Sequence, residues 1–169
     1  EPLRRAAAVA ALLAIPASAA ATWSRVADWN DEERLWREAV RTAPAPNFVP
    51  LHELGNVLFR AGRYKEALPA YEQALARISS PSRRVAVTGN VASALSELGE
   101  LERARALTLQ LVEIEPGVAL HRYNLAVIEA RRLDFDAAER DLREALRILP
   151  GYPEAERALA RLGALRAEA

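Results

Sequence analysis

The segment LHELGNVLFRAGRYKEALPAYEQAL, residues 51–75, places small residues at four positions in a run that otherwise has the apolar spacing of helices. These small residues are Gly55, Gly62, Ala67 and Ala74. The apolar period breaks at Gly62, which is typical of a short turn between two helices. Small side chains elsewhere allow two helix backbones to come close enough for neighbouring large side chains to interlock. The segment therefore predicts a helical hairpin.

The hairpin pattern returns twice further along the chain, as VASALSELGELERARALTLQLVEIEP and LAVIEARRLDFDAAERDLREALRILP. Ala67, Ala104 and Ala138 correspond, and the last two are 34 residues apart. The first spacing is three residues longer, with the extra residues near ISSPSRR. A fixed period of this size is the sequence signature of stacked repeats. We therefore predict an all-α fold, an α-solenoid of helix-turn-helix hairpins.

The repeats resemble the tetratricopeptide repeat (TPR) family in their period, their alanine positions, the glycine at the turn, Tyr71 and the closing prolines Pro116 and Pro150. Five positions depart from the family pattern. Thr88 and Arg122 replace a large apolar residue, Glu129 replaces an aromatic residue, Leu133 replaces the turn glycine and Ser79 replaces the closing proline. The resemblance implies repeats at residues 48–81, 85–118 and 119–152, a degenerate half-repeat at 29–46, and a capping helix at 153–169 that covers the last apolar face.

Composition narrows the classes of function. The 23 basic and 23 acidic residues cancel, so no net charge draws the chain to nucleic acid. There is no cysteine, and the two histidines, His52 and His121, lie far apart in sequence, which argues against a metal site. Phosphate-loop and nucleophile-elbow motifs do not occur. We expect a non-enzymatic module with no catalytic residue, metal or cofactor, and this expectation leaves open that it belongs to a larger enzyme.

The TPR resemblance also implies a binding surface. The first helix of each repeat lines the concave wall of the superhelix, which binds a protein or peptide partner. On this template the middle repeat contributes small or polar side chains, so a trough is expected between an aromatic wall in the first repeat and another in the third. The residues expected to bind the partner are His52, Asn56, Phe59, Asn90, Ser93, Tyr123, Asn124 and Val127.

Within that set, Asn90 and Asn124 resemble the asparagine ladder that holds a peptide backbone in some TPR proteins, since an amide both donates and accepts hydrogen bonds. The three-residue insertion displaces Asn56 from this ladder. The alternative is that these asparagines are tolerated polar residues or form hydrogen bonds between repeats. If the ladder exists, alanine at positions 90 and 124 weakens peptide binding and leaves thermal unfolding nearly unchanged.

Residues 1–28 form an apolar N-terminal segment. Nineteen consecutive uncharged residues run from Ala6 to Ser24, and as a helix they would extend roughly 28 Å, close to the thickness of a bilayer core. Three alternatives remain open: a membrane helix, a helix of the solenoid, and a secretory signal peptide. Membrane anchoring from Ala6 to Ser24 would place the repeats on the periplasmic side, and the second alternative predicts a soluble protein.

A narrower resemblance involves the tryptophans at 23, 29 and 36, followed by Val40 and Pro44. This order is similar to the junction in protein O-mannosyltransferase-like membrane proteins, in which a multi-spanning glycosyltransferase precedes TPRs. It implies an alternative function, in which the repeats select acceptor proteins for such an enzyme. A third possibility is self-association, with the groove filled by a second copy or by the N-terminal segment.

Overall fold

The structure, a computed structural model, describes residues 31–44 and 46–167. This part of the chain consists of helices joined by turns and contains no strand, which confirms the all-α prediction. It divides into one unit that ends at Ala43 and a second that begins at Pro44. The segment from Ala6 to Ser24 lies outside the described residues, so its three alternatives stay predictions. Among the helices described, none has the length and apolar character needed to cross a membrane.

The first unit contains helix α1, Glu32–Thr42. Asp31 caps it, because the side-chain oxygen accepts a hydrogen bond from the Arg34 amide at 3.2 Å. Glu32 and Glu33 lie in the first turn, where the positive end of the helix dipole stabilises carboxylates. The half-repeat predicted at residues 29–46 contains this helix, and its assignment as a half-repeat stays a prediction.

The second unit is a row of hairpins. Each helix contacts the next helix in the chain, and the first helices of the second and third hairpins also contact each other. The predicted TPR solenoid therefore has the expected architecture. The helices are α2 (Val49–Arg60), α3 (Tyr64–Arg77), α4 (Pro81–Glu97), α5 (Leu101–Ile114), α6 (Ala119–Arg131), α7 (Phe135–Ile148) and α8 (Pro153–Ala167).

The three hairpin turns share one backbone conformation. Gly62, Gly99 and Leu133 have φ angles of 72°, 80° and 66°, the left-handed region that ends helices. In each turn the next residue's amide donates to a carbonyl five residues earlier, as Arg63 does to Leu58 at 2.9 Å. Leucine at 133 adopts a conformation that costs a side-chain-bearing residue about 1–2 kcal/mol. The third turn therefore has the same backbone conformation as the other two, although a leucine replaces the glycine.

The three-residue insertion lies in the first turn of α4. This helix begins at Pro81, four residues before the predicted start of its repeat, and proline is tolerated at a first helical position. Arg84 in the added turn donates to the carbonyl oxygens of Leu75 at 2.9 Å and Ile78 at 3.2 Å. The insertion therefore lengthens the helix and provides hydrogen bonds for the end of α3.

The predicted contact alanines are fully buried, with no exposed surface at Ala67, Ala74, Ala104 or Ala138. Gly55 has a more specific role than the close backbone approach that the sequence indicates. A Cβ atom on Gly55 would lie 2.5 Å from Cε1 of Tyr71, so the missing side chain accommodates an aromatic ring.

Helix α8 lies where the capping helix was predicted. Ala155 and Leu162 are buried in a cluster that includes Ala138, Leu142 and Ala145 of α7. The helix therefore covers an apolar face that α7 would otherwise expose to water.

The unusual Glu129 is buried and paired. Its side chain is 2% exposed, and it accepts hydrogen bonds from Nε of Arg105 at 2.6 Å and from Arg132 at 2.5 Å. Arg132 also donates to Glu102 of α5 at 2.8 Å, and these two hydrogen-bonded carboxylates raise the pKa of its guanidinium. The ion cluster links α5 to α6 at the place where the family has an aromatic residue.

Candidate partner-binding groove

A hydrogen-bond network connects the first helices of the first two repeats. The Nδ2 atom of Asn90 donates to Oδ1 of Asn56 at 3.2 Å and lies 2.9 Å from Nε2 of His52. Asn56 Oδ1 also accepts from the hydroxyl of Tyr71 at 3.0 Å, and its Nδ2 donates to Glu53 at 3.1 Å. We call these five side chains the inter-repeat network.

The network fixes what its members can offer to a partner. An amide nitrogen carries two hydrogens, and those of Asn90 point to Asn56 and to His52, whose Nε2 accepts. The hydrogen of the His52 ring then resides on Nδ1, which donates to Glu53 at 3.2 Å. Asn56 and Asn90 therefore form a hydrogen bond between repeats, which is one of the alternatives to a peptide-binding ladder that the sequence left open.

Tyr71 lies at the base of this network and is 2% exposed. Burial raises the pKa of Tyr71 to about 12, with a smaller opposing effect of the Arg60 charge. The phenol stays protonated at neutral pH and keeps its hydrogen bond to Asn56. The ring that excludes a side chain at position 55 thus also anchors the inter-repeat network.

Five of the predicted partner-binding residues meet in one cavity of about 180 Å³. We call it the polar cavity. Phe59 and Tyr123 both line it, so the structure contains the expected aromatic residues at the trough. Four lining residues lie outside the predicted partner-binding set. The TPR template places Ser96 and Glu97 on the concave wall, whereas sequence reasoning missed Thr108 and Ile128. The full lining is Phe59, Ser93, Ser96, Glu97, Thr108, Tyr123, Asn124, Val127 and Ile128.

Other aromatic residues support the two aromatic residues of the polar cavity. The Phe59 ring packs edge-on against Tyr64, with centroids 5.0 Å apart. The Tyr123 ring lies 5.5 Å from that of Tyr152, which precedes α8. Aromatic pairs of this geometry add about 0.5–1.5 kcal/mol beyond their buried area. We therefore expect both rings to hold their positions when the cavity is empty.

The polar groups of the cavity differ in their hydrogen bonds. The hydroxyls of Ser93 and Thr108 donate to the carbonyls of Gly89 at 3.0 Å and Ala104 at 2.9 Å. The Ser96 hydroxyl has no partner, although only 6% of the residue is exposed.

Two further groups complete the chemistry of the polar cavity. The Asn124 amide forms no hydrogen bond within the described part of the chain. Glu97 forms an ion pair with Arg131, which also donates to the Ser96 carbonyl at 2.7 Å. Asn124 is thus the asparagine of the predicted ladder that keeps its full capacity for a partner.

A second cavity of about 390 Å³ lies between α6, α7 and α8, and we call it the apolar cavity. Val127 lines both cavities, so they adjoin along α6. Several of its lining residues are alanines, whose small side chains leave the space open, and its charged lining residues are Arg131 and Arg161. The full lining is Ala126, Val127, Ala130, Arg131, Phe135, Ala138, Leu142, Ala158, Arg161 and Leu162.

Of the predicted partner-binding residues, only Val127 borders the apolar cavity. The small side chains of α6 were the one sequence feature that could have indicated this cavity. Its presence depends on how α8 packs on α7, and the pattern within a single repeat carries no information about that packing. In the described ranges, no group of three histidine or acidic side chains is arranged to hold a metal ion.

Comparison with known proteins places the repeats in a family. Tetratricopeptide repeat profiles match residues 48–114 and 88–153, which together span well over half of the chain. The TPR repeat-containing thioredoxin TTL4 of Arabidopsis thaliana is 36% identical over 88 residues, a match that covers 52% of this chain and 12% of that protein.

Two solved structures have a similar fold. YrrB, a TPR protein with an unusual peptide-binding site, superposes with a TM-score of 0.68 at 23% identity, covering 80% of this chain and 68% of its own. The first TPR domain of Spaghetti (RPAP3), bound to the HSP90 peptide SRMEEVD, gives 0.61 at 20% identity, covering 73% and 96%. From the two profile matches and the repeated hairpins, the chain belongs to the tetratricopeptide repeat family.

Proposed function

We propose that this chain is a protein-interaction module that binds an extended peptide segment of its partner along α6. The groove consists of the polar cavity and the apolar cavity together. The observation that carries the proposal is the position of Val127 in the lining of both cavities, which places the two cavities side by side on α6.

The chemistry of this surface suits a peptide. Binding sites in proteins are concave, largely apolar, and carry a few polar groups that orient the ligand. The apolar cavity accommodates one bulky aliphatic or aromatic side chain, and burying such a side chain contributes about 1.5–3 kcal/mol. Arg161 lines the same cavity and favours a carboxylate in the bound segment, whereas Arg131 is already paired with Glu97. The polar cavity offers Asn124 to the peptide backbone or a side chain.

Two similar folds support a peptide as the class of partner. YrrB has a peptide-binding site, and the RPAP3 domain holds an HSP90 peptide. Their identity to this chain is below 25%, so they support the class of ligand and leave the sequence of the ligand open. The partner of this chain is therefore defined here by the chemistry of its own cavities.

The test compares two charge insertions on the full chain. Peptides are selected from a displayed random library, and their dissociation constants are measured by fluorescence anisotropy. Val127→Asp should weaken binding at least about tenfold, because it places a carboxylate in the shared lining of both cavities. Ile114→Asp on α5 is the matched control, since Ile114 is 62% exposed and borders neither cavity.

Circular dichroism first establishes that both variants are folded, and Val127→Ser replaces the aspartate variant if it unfolds. Binding that is equally strong in the wild type and in the Val127 variants would refute the groove. A loss of binding in the Ile114 variant would place the binding surface elsewhere.

The glycosyltransferase alternative stays a prediction, because Trp23 and Trp29 of the motif that suggests it lie outside the described residues. Under that alternative the same groove would select the acceptor protein. Self-association makes a different expectation, namely that Val127→Asp converts a dimer into a monomer. Light scattering coupled to size exclusion measures that change directly.

A further inference from the structure

A third cavity, of about 530 Å³, lies at the start of the row of hairpins. Its lining comes from the segment before α2, the first residue of α2, the end of α3 and the start of α4, all within the second unit. Its charged lining residues are Arg77 and Arg83, and we call it the arginine cavity. It shares no residue with the polar cavity or the apolar cavity, so it is a separate surface.

Two consecutive residues position the guanidinium groups of the arginine cavity. Nη1 of Arg77 donates to the carbonyl oxygen of Asn47 at 3.3 Å. Cζ of Arg83 lies 5.6 Å from the centre of the Phe48 ring, a cation–π contact. Oδ1 of Asn47 accepts a hydrogen bond from the Val49 amide at 3.0 Å, which holds this short segment at the start of α2. Both guanidinium groups therefore rest on one ordered piece of backbone and are oriented before a ligand binds.

The positive charge of the arginine cavity is not balanced. No acidic residue lines it, and none lies in the first turn of α4. Arg77 and Arg83 form no ion pair within the part of the chain that the structure describes. Arg63, Arg103 and Arg147, by contrast, each pair with a nearby glutamate. A guanidinium carries five N–H donors, so the cavity has donors and charge to offer to an oxyanion.

Solvent reaches the groups that would make these contacts. Arg83 is an exposed residue, and Arg77 is half-buried. Val49 is 42% exposed, which is unusual for a large apolar side chain in this chain. A ligand in the cavity can therefore contact both charges and an apolar side chain.

The apolar part of the lining favours a peptide over a small anion. A free phosphate would pair with the arginines and leave the apolar groups in contact with water. A peptide with both acidic and apolar side chains would pair with the arginines and cover these groups as well. The apolar lining residues are Pro44, Pro46, Phe48, Val49 and Ile78.

We propose that the arginine cavity docks an acidic segment of a partner protein, in which carboxylates flank an apolar residue. Arg77 and Arg83 pair with the carboxylates, and the apolar side chain packs against Phe48 and Val49. A guanidinium suits this role because it can donate two parallel hydrogen bonds to one carboxylate. The inference goes beyond the peptide groove along α6 and does not depend on it.

The test uses three small probes, so it does not require the natural partner. They are the capped tripeptide aspartate–leucine–aspartate, its neutral counterpart asparagine–leucine–asparagine, and inorganic phosphate. Each is titrated into the ¹⁵N-labelled full chain while the backbone amide resonances of Asn47, Phe48 and Ser80 are followed. The acidic tripeptide should bind about two- to thirtyfold more tightly than the neutral one at low salt, the range that two partly exposed ion pairs provide. The preference should decline at about 1 M salt, where the Debye length is about 3 Å.

Arginine variants show whether the preference belongs to this cavity. The double variant Arg77→Gln, Arg83→Gln should abolish it, and Arg83→Gln alone should lower it. Arg140→Gln is the matched control for the single variant, since Arg140 is an exposed residue of α7 that lines none of the three cavities. Circular dichroism checks that each variant is folded. If the double variant unfolds, Arg83→Gln decides, because its guanidinium forms no hydrogen bond in the described ranges.

Three results would overturn the docking site. The first is equal binding of the two tripeptides, or an unchanged preference in the variants at positions 77 and 83. The second is phosphate that binds more tightly than the acidic tripeptide and shifts the same resonances, which would assign the cavity to a free anion. The third is a loss of the preference in Arg140→Gln, which would mean that overall charge attracts the peptide.

The failure of this inference is distinguishable from that of the proposed function. If Val127→Asp abolishes binding of the library peptides while the two tripeptides bind equally to the wild type, the groove stands and the docking site is wrong. If the library peptides bind equally to the Val127 variants while the acidic tripeptide keeps its preference, the groove is refuted and the docking site stands.

Discussion

Asn90 of α4 donates a hydrogen bond to Asn56 of α2, a residue 34 positions earlier, across 3.2 Å. The spacing equals one repeat, although the insertion in the first turn of α4 separates their positions within the repeats. The side chain expected to hold a peptide is therefore part of the contact between repeats. This relationship changes what a substitution at position 90 should do.

Asn90→Ala should destabilise the chain by about 1–3 kcal/mol, because it leaves Nε2 of His52 without a donor and removes one of the two hydrogen bonds that Oδ1 of Asn56 accepts. Urea unfolding followed by circular dichroism measures the free energy. Asn124→Ala is the matched control and should change stability by less than about 0.5 kcal/mol, since Asn124 has no such bonds. Equal effects of the two variants would contradict the structural role assigned to Asn90. The sequence-based expectation of nearly unchanged unfolding is thus kept for position 124 alone.

Gly55 and Gly89 provide a direct test of the role assigned to small residues. Gly55→Ala should destabilise by about 1–3 kcal/mol, because its Cβ would lie 2.5 Å from the Tyr71 ring. At Gly89 the nearest atom, Cδ1 of Leu111, would be 3.7 Å from a Cβ, an ordinary contact. Gly89→Ala should therefore stabilise by about 0.5–1 kcal/mol through helix propensity. Thermal and urea unfolding measure the change in stability of both variants. If the two substitutions change the free energy of unfolding in the same direction, this explanation fails.

Whether the sequence predicts a structural feature depends on how far apart along the chain the interacting residues lie. The hairpins, the buried alanines and the turns at Gly62 and Gly99 follow from spacing within one repeat, so the sequence predicts them. The apolar cavity and the pairing of Asn56 with Asn90 depend on how separate helices pack. The position of the insertion within α4 decides that pairing, and the repeat pattern alone does not locate it.

Two departures from the family pattern show the same limit. The sequence marks Leu133 and Glu129 as unusual but does not reveal how the chain accommodates them. Leu133 adopts the left-handed conformation itself, with a φ of 66°. The buried carboxylate of Glu129 forms ion pairs with Arg105 on α5 and with Arg132 at the end of α6.

That ion cluster yields a third prediction. Arg105→Ala should cost about 1.5–3 kcal/mol, the range of a hydrogen bond to a charged group, because Glu129 is buried and loses one of its two partners. Arg103 on the same helix pairs with the more exposed Glu100, and its replacement by alanine should cost at most about 1 kcal/mol. Chemical unfolding of the two variants measures the difference, and an equal cost would mean that the buried pair contributes no more than a surface pair.

Tyr71 gives a prediction at alkaline pH. Its pKa is about 12 in the folded chain and about 10 in an unfolded chain, so folding favours the neutral phenol. The stability from this preference is fully present below pH 10 and is lost as the pH rises through about 12. Tyr71→Phe should be less stable than the wild type at neutral pH, since it loses the bond to Asn56. The difference should narrow as the pH rises.

Ultraviolet titration of tyrosinate provides the check. The chain has four tyrosines, and Tyr71→Phe should remove the ionisation near pH 12. If the variant instead loses an ionisation near pH 10, Tyr71 is not buried as described.

The central claim is that a peptide binds along α6, across both cavities. The most direct measurement is a chemical-shift map of the ¹⁵N-labelled full chain with the tightest peptide selected from the library. We predict the largest changes at residues that line the two cavities, with Asn124, Val127 and Ala158 among them. Largest changes on α3, or on residues of α5 other than Thr108, would contradict the account, because these residues line neither cavity.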